Sequence, residues 1–393
     1  LKKKTERQFM QRILLLITLS LLINVSCSSD KNKKKKEKFE PAKLVDVTAV
    51  GQFKTLWSKK FDSSDKSYGY KLIPFVDSLN VFVASQNGNV SKLEKETGKQ
   101  VWSVDLDQEL SAGPGVGNEI ILLGTPEGSV IALNKETGAE VWNARLSSEI
   151  LSPPIIENQL AIVRAQDGRV YGLSTEDGER KWLFDTNIPN LTLRGNSTPV
   201  VKAGRVYIGF DNGKVAAIKQ ETGDVIWLQN VVDTKGKTEV ARIVDIDGDM
   251  SLISTDLYLS SAVGKTIAVA TESGRVLWSQ DTGSAAGVSA SRSYLYVIGD
   301  DSNAHALNRT DGTEEWKTTA YKNRLLTKPI FYLGDVITTD LEGYVHVLDG
   351  ETGATIARTR MGKSSFYSHP IGSGSTLYAY NKDGTLTAFE YSR

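Results

Sequence analysis

Asp245-Ile-Asp247-Gly-Asp249, followed by Asp256, is an acidic run whose spacing could hold a metal ion. Its carboxylates fall at positions 1, 3, 5 and 12 of a calcium-binding loop. Position 6 of such a loop turns sharply and takes glycine, and position 12 takes the longer Glu as a bidentate ligand. Here those places hold Met250 and Asp256, so calcium is not expected. His305, His346 and His369 are the only histidines. No His-x-x-x-His pair, nucleophile elbow or phosphate-binding glycine loop accompanies them, and structural roles are expected. The single cysteine, Cys27, leaves no intramolecular disulfide, Cys-based zinc site or redox pair to build. The chain therefore reads as a non-enzyme that needs no cofactor.

What precedes Cys27 gives it a different chemistry. Met10 to Cys27 has a basic start, an apolar run from Ile13 to Ile23 and small residues before the cysteine, the layout of a secretory signal peptide. The apolar run is about half of what a helix needs to cross a bilayer. Ser26-Cys27-Ser28 resembles a bacterial lipobox, which implies a lipid on Cys27 and delivery to the outer membrane. Residues 1–26 are thus expected to be the signal peptide and 27–50 a lipid-anchored tether. Lys33-Lys34-Lys35-Lys36 and the lack of apolar residues suit a solvated segment that buries no core. Residues 1–40 hold eleven Lys/Arg against four Asp/Glu, so the zero net charge of the chain joins a basic tail to a mildly acidic body. A body without a basic stripe lacks the footprint of a nucleic-acid binder, which must neutralise phosphates.

The elements that position any site come from a repeat of about 40 residues, the signature of a propeller or solenoid. One turn recurs at Gly88, Gly128, Gly168, Gly213, Gly264, Gly343 and Gly384, with Ser302 in the missing place. A second recurs at Gly98, Gly138, Gly178, Gly223, Gly274, Gly312 and Gly353. Trp102, Trp142, Trp182, Trp227, Trp278 and Trp316 follow the first six of these at identical spacing, and Ala357 follows the seventh. Turns such as Asn87-Gly88 and Asp167-Gly168 need positive φ, and the runs between them are short, β-branched and aromatic. The eighth unit, Thr376 to Arg393, ends before its own Trp strand, whereas Thr55-Leu-Trp57-Ser-Lys-Lys-Phe61 has the Trp without a preceding turn. An all-β, eight-bladed propeller of four-stranded antiparallel blades over residues 51–393 is expected, with an N-terminal strand completing the C-terminal blade. The Ala357 blade is expected to be the most weakly packed.

Spacing also marks where function concentrates. Successive second-turn glycines lie 40, 40, 45, 51, 38 and 41 residues apart, so two consecutive units are swollen. Their extra residues fall around Ile188 to Gly195 and Val232 to Asp256, and long loops on a rigid scaffold carry binding function.

The repeat resembles the pyrroloquinoline-quinone-type propeller repeat, in which an outer-strand Trp docks on the neighbouring blade. Quinoprotein dehydrogenases of that fold clamp their cofactor with an adjacent Cys-Cys pair, which this chain lacks. The lipobox, the tether, the eight units, Leu191-Thr-Leu-Arg-Gly195 and Thr238 to Asp247 together resemble the BamB family of outer-membrane protein assembly factors. The resemblance implies a scaffold lipoprotein at the periplasmic face of the outer membrane, docked on a POTRA domain of the insertase BamA and aiding insertion of barrel proteins. It implies that Leu191, Leu193, Arg194, Asp245 and Asp247 bind the partner, the leucines as an apolar anchor and Arg and Asp as paired hydrogen-bonding groups at its edge. Direct contact with unfolded outer-membrane precursors, by strand pairing at exposed blade edges, is a further expectation. A propeller of another envelope complex and a quinoprotein-type enzyme are the alternatives.

Overall fold

The computed structural model describes residues 40–62, 70–187, 189, 191–232, 244–262 and 264–393, so Cys27, the signal peptide and residues 27–39 of the tether lie outside the described residues. The chain divides into Leu1–Lys43 and Leu44–Arg393, and the second unit is the propeller. Its strands form eight sheets, seven of four strands and one of five, and no helix occurs among the described residues. The third blade shows the pattern: Ile155–Glu157, Leu160–Arg164, Val170–Ser174 and Arg180–Phe184, all antiparallel from the channel outward. Its two middle strands are buried nearly throughout, while the outer strand alternates and buries Trp182. The hydrophobic core therefore lies between blades rather than within any one of them, as where Ile162 and Val170 of the third blade pack with Val206 and Ala216 of the fourth. The five-stranded sheet arises because Lys71–Leu72 adds a short parallel pair to Ala112–Val116 on the channel side of the second blade.

One device repeats at every blade junction that carries a Trp. In all eight blades the register slips by one residue between the third and outermost strands, beside the Trp position. Such a bulge bends the strand and re-aims a side chain. Each indole so aimed reaches the second turn of the next blade and donates its Nε1–H to a carbonyl there: Trp57 to Lys95, Trp102 to Lys135, Trp142 to Thr175, Trp182 to Gln220, Trp227 to Thr271, Trp278 to Arg309 and Trp316 to Gly350, at 2.9–3.2 Å. The same indole lies on the turn glycine. A Cβ atom on Gly98, Gly138, Gly178, Gly223, Gly274, Gly312 or Gly353 would sit 2.5–2.9 Å from the ring, and all seven have positive φ. The repeated glycine is thus required twice, by backbone conformation and by ring contact.

Ring closure follows the expected route. Gln52–Lys60 pairs antiparallel with Thr385–Ser392, and Trp57 on that strand covers Gly98 of the first blade. Ser302, where the other blades have glycine, takes the left-handed conformation at φ 64°. Ala357 faces the seam where the N-terminal strand meets the C-terminal strand of the eighth blade. The eighth blade has no turn there for an indole to cover, because its third strand belongs to the C-terminus and its outer strand to the N-terminus. Tyr391 occupies that space: it is buried, its ring edge would lie 2.8 Å from a Cβ on Gly51, and its hydroxyl donates to Asp335 Oδ2 at 2.6 Å. Gly51 faces Ala357 Cβ directly, and the amides of Val50 and Gly51 donate to the Ile356 carbonyl. Ala357 belongs to a continuous core with Ile337, Phe389 and Tyr391, so the space is filled rather than vacant. Restoring the repeat residue with Ala357→Trp is therefore expected to cost about 1–3 kcal/mol by overpacking, measured by urea unfolding; a stabilised variant would contradict this account of the seam.

Candidate functional site

The described parts of the two swollen loops, 191–199 and 244–250, lie side by side, joined through Leu193, Asp245 and Lys71. The first, between the third and fourth blades, presents Leu191 and Leu193 with 43% and 39% of their surfaces exposed. Arg194 is half-exposed, hydrogen-bonded through Nη2 to Glu149 Oε1 at 2.8 Å and stacked over the Tyr70 ring, with its guanidinium carbon 5.4 Å from the centroid. These contacts hold the fork upright and leave donors for a carboxylate or carbonyl from outside.

Asp245 and Asp247 are placed otherwise than expected. Both are buried, so neither carboxylate stands at the edge of an exposed patch. The Leu193 backbone N–H donates to Asp245 Oδ2, which fixes the turn that exposes the two leucines. Asp247 lies beside Gly195, whose missing Cβ would come within 3.7 Å of its side chain. The pair therefore supports the loop from beneath, and Leu191, Leu193 and Arg194 make the surface. Of the second loop, residues 233–243 lie outside the described residues, including the Thr238 to Ile243 part of the motif.

Beneath the loops three carboxylates share one guanidinium. Arg164 and Asp211 are both fully buried and form an ion pair at 2.6 Å, and Arg164 Nη1 donates to Ser197 Oγ at 3.0 Å. Burial raises the Asp211 carboxyl above its ordinary range even against the pull of Arg164. Burial pushes Asp245 up to about 6, opposed by the Leu193 amide and assisted by the charge of Asp211. Burial and then the charges of Asp211 and Asp245 push Asp247 up to about 8. Asp249 is the opposite case. Burial disfavours its charge, but Lys71 at 2.9 Å and Lys328 at 3.6 Å hold its carboxyl far below the ordinary range. Lys71 also donates to the carbonyls of Asn196 at 2.7 Å and Asp247 at 3.2 Å, so one ammonium ties both loops together.

Asp249 thus pairs with lysines and with the Thr198 hydroxyl, while Asp256 accepts from Tyr258, and the two ends of the supposed calcium loop serve different neighbours. His305 binds Glu314 at 2.7 Å, and His346 binds Asp340 at 2.9 Å and accepts from Arg358 Nε. Both are structural. His369 instead lines the central cavity, with Lys328 and Asp249.

Tyr70, Glu149, Arg164 and Asp211, which hold the loops, belong to no motif, and only their place in the fold identifies them. A ring of prolines did carry a signal. Pro74, Pro154 and Pro199 immediately precede inner strands and Pro114 lies within one, spaced as the glycines are, and Pro329 and Pro370 continue the series. An innermost edge strand lacks a partner on one side, which is where proline costs no hydrogen bond; in the second blade Pro114 lies just past the short pairing of Ala112 and Gly113 with Lys71 and Leu72.

The family model described as "Outer membrane protein assembly factor BamB" matches residues 46–111, 86–318 and 306–392. A protein of that name from Alkalilimnicola ehrlichii is 44% identical over 349 residues, covering 88% of this chain and 91% of its own. Its namesake from Pseudomonas aeruginosa is 42% identical over 353 residues, covering 90% and 93%. The crystal structure of BamB from Moraxella catarrhalis superposes with a TM-score of 0.80 at 26% identity, covering 86% of this chain and all of that one. These relatives are named as assembly factors and not as enzymes.

The raised carboxyls make a pH test. Between the unfolded value of about 3.9 and the folded value near 8, Asp247 holds its proton in the folded chain and loses it in the unfolded one. The folded state then binds more protons, so stability falls as pH rises through that window. Asp247→Asn is expected to melt above the parent at pH 8, with little difference at pH 4 and a flatter slope between; parallel melting curves would show that Asp247 ionises normally.

Proposed function

The chain belongs to the BamB family of outer membrane protein assembly factors, and on that premise we propose that it is a lipid-anchored scaffold which docks on periplasmic POTRA domains of the BamA-type insertase through Leu191, Leu193 and Arg194. The observation that carries this reading is the exposure of two leucines on a loop whose backbone is tied to a buried carboxylate. A loop fixed before contact loses little entropy on binding, so a small apolar anchor yields more of its gross energy as affinity. Arg194, held by Glu149 and Tyr70, directs the rim. Asp245 and Asp247 act through the loop as positioning residues. No bond is made or broken: the scaffold presents the insertase to, or steadies it for, incoming outer-membrane proteins. Cys27 would carry the lipid and hold the protein at the periplasmic face of the outer membrane.

The test is binding of the purified protein to the periplasmic region of the same organism's insertase. Leu193→Ala with Arg194→Ala is expected to weaken binding by about ten-fold or more, as a central hot spot does, without moving the melting temperature. Full affinity in the double variant would move the site elsewhere on the propeller. Absence of binding by the unaltered protein would favour a different envelope complex.

A further inference from the structure

The central channel holds a cavity that Leu191, Leu193 and Arg194 do not line. It measures about 490 Å³ and is lined from seven of the eight blades, a volume within the range of about 300–1,000 Å³ typical of small-molecule sites. Its wall is apolar, built on Pro74, Pro114, Pro154 and Pro199 with Phe75 and Ile156. Its polar residues gather at the end from which the inner strands start, where Asp249, Lys328 and His369 meet.

The charges at this end do not cancel. Asp249 is satisfied by Lys71 at 2.9 Å and by the Thr198 amide and hydroxyl, and Lys71 is saturated by Asp249 and two carbonyls. That leaves the Lys328 ammonium, whose one neighbouring anion among the described residues, Asp249 Oδ2, stands at 3.6 Å, beyond hydrogen-bond reach. Its side chain is only 18% exposed. A partly buried ammonium without a hydrogen-bond acceptor is costly, and a ligand that supplies one recovers that cost. The His369 ring, likewise without a hydrogen-bond partner among the described residues, lines the same space. Lys71 and Asp249 neutralise each other and His369 is kept uncharged by burial and the nearby lysines, so the net charge offered to the channel is one positive.

We infer that the channel is a binding site for an apolar group ending in a single carboxylate, with the apolar part against the proline ring and the carboxylate on Lys328 and the His369 N–H. A phosphate dianion fits less well, since Asp249 stands beside the ammonium and repels a second charge. Two sources offer this chemistry, a free aliphatic carboxylate and the C-terminus of an extended chain.

Calorimetric titration of the full protein separates them, using sodium octanoate, octanamide, and the tetrapeptide Ala-Val-Val-Leu as free acid and as C-terminal amide. Octanoate is expected to bind about ten-fold or more tightly than octanamide, as befits one charge-assisted pair. Lys328→Met is expected to abolish that preference and Lys328→Arg to retain it, both variants keeping the parent's circular dichroism spectrum. Binding of the free-acid peptide over its amide would identify a chain terminus as occupant, and binding of octanoate alone a small carboxylate. The inference is overturned if no carboxylate binds, if octanamide binds as tightly as octanoate, or if a folded Lys328→Met protein binds octanoate unchanged.

Discussion

Seven of the eight blades lean on the next through an indole laid on a glycine. The contact combines a large apolar burial, about 150–250 Å² for a tryptophan, with one hydrogen bond from Nε1 to a backbone carbonyl that would otherwise face solvent. It works only where the turn lacks a Cβ and the outer strand carries a bulge, so three local features must coincide at each junction. A ring has no ends at which to lose one such contact. The junction between the eighth and first blades, made by Trp57 on the N-terminal strand, therefore fixes the whole circuit. The neighbouring junction, between the seventh and eighth blades at Ala357, shows the same rule by exception: where the turn is replaced by the meeting of the N-terminal and C-terminal strands, Tyr391 takes the indole's place.

A rigid ring lets irregular segments be held without regular structure. The loop bearing Leu191 and Leu193 is not a strand, yet its backbone is bonded to Asp245, its Arg194 to Glu149, and its Asn196 carbonyl to Lys71. These anchors come from different blades, which closure keeps at constant separation. The cost is a crowded set of buried carboxylates on a single arginine, visible in the raised Asp245 and Asp247. Buried polar networks of this kind specify one geometry more than they stabilise it.

Much of this was legible in the residues. Glycine and tryptophan spacing yields the eight blades and the closing strand because each repeat has to meet its neighbour in the same way. Ser302 hides one turn from a glycine count but takes the same positive φ. Ala357 reads in sequence as a defect, because nothing in the spacing tells that Tyr391, on another strand, fills the gap. Asp245 and Asp247 read as surface groups for a related reason. Charge alone suggests solvent, and only Arg164 and Asp211, distant in sequence and outside any motif, reveal that these carboxylates face inward. The lining of the channel is harder to read, because its proline series is broken at the fifth and sixth blades, where Met250 and Val288 stand.

Photocrosslinking in the cell envelope tests the proposed docking face most directly. A photoreactive residue at Leu191, on the face of the inter-blade loops, is compared with one at Leu333, an exposed residue in a turn of the opposite face. The account requires a crosslink to the insertase from position 191 and none from 333. A crosslink from 333 with none from 191 would contradict it.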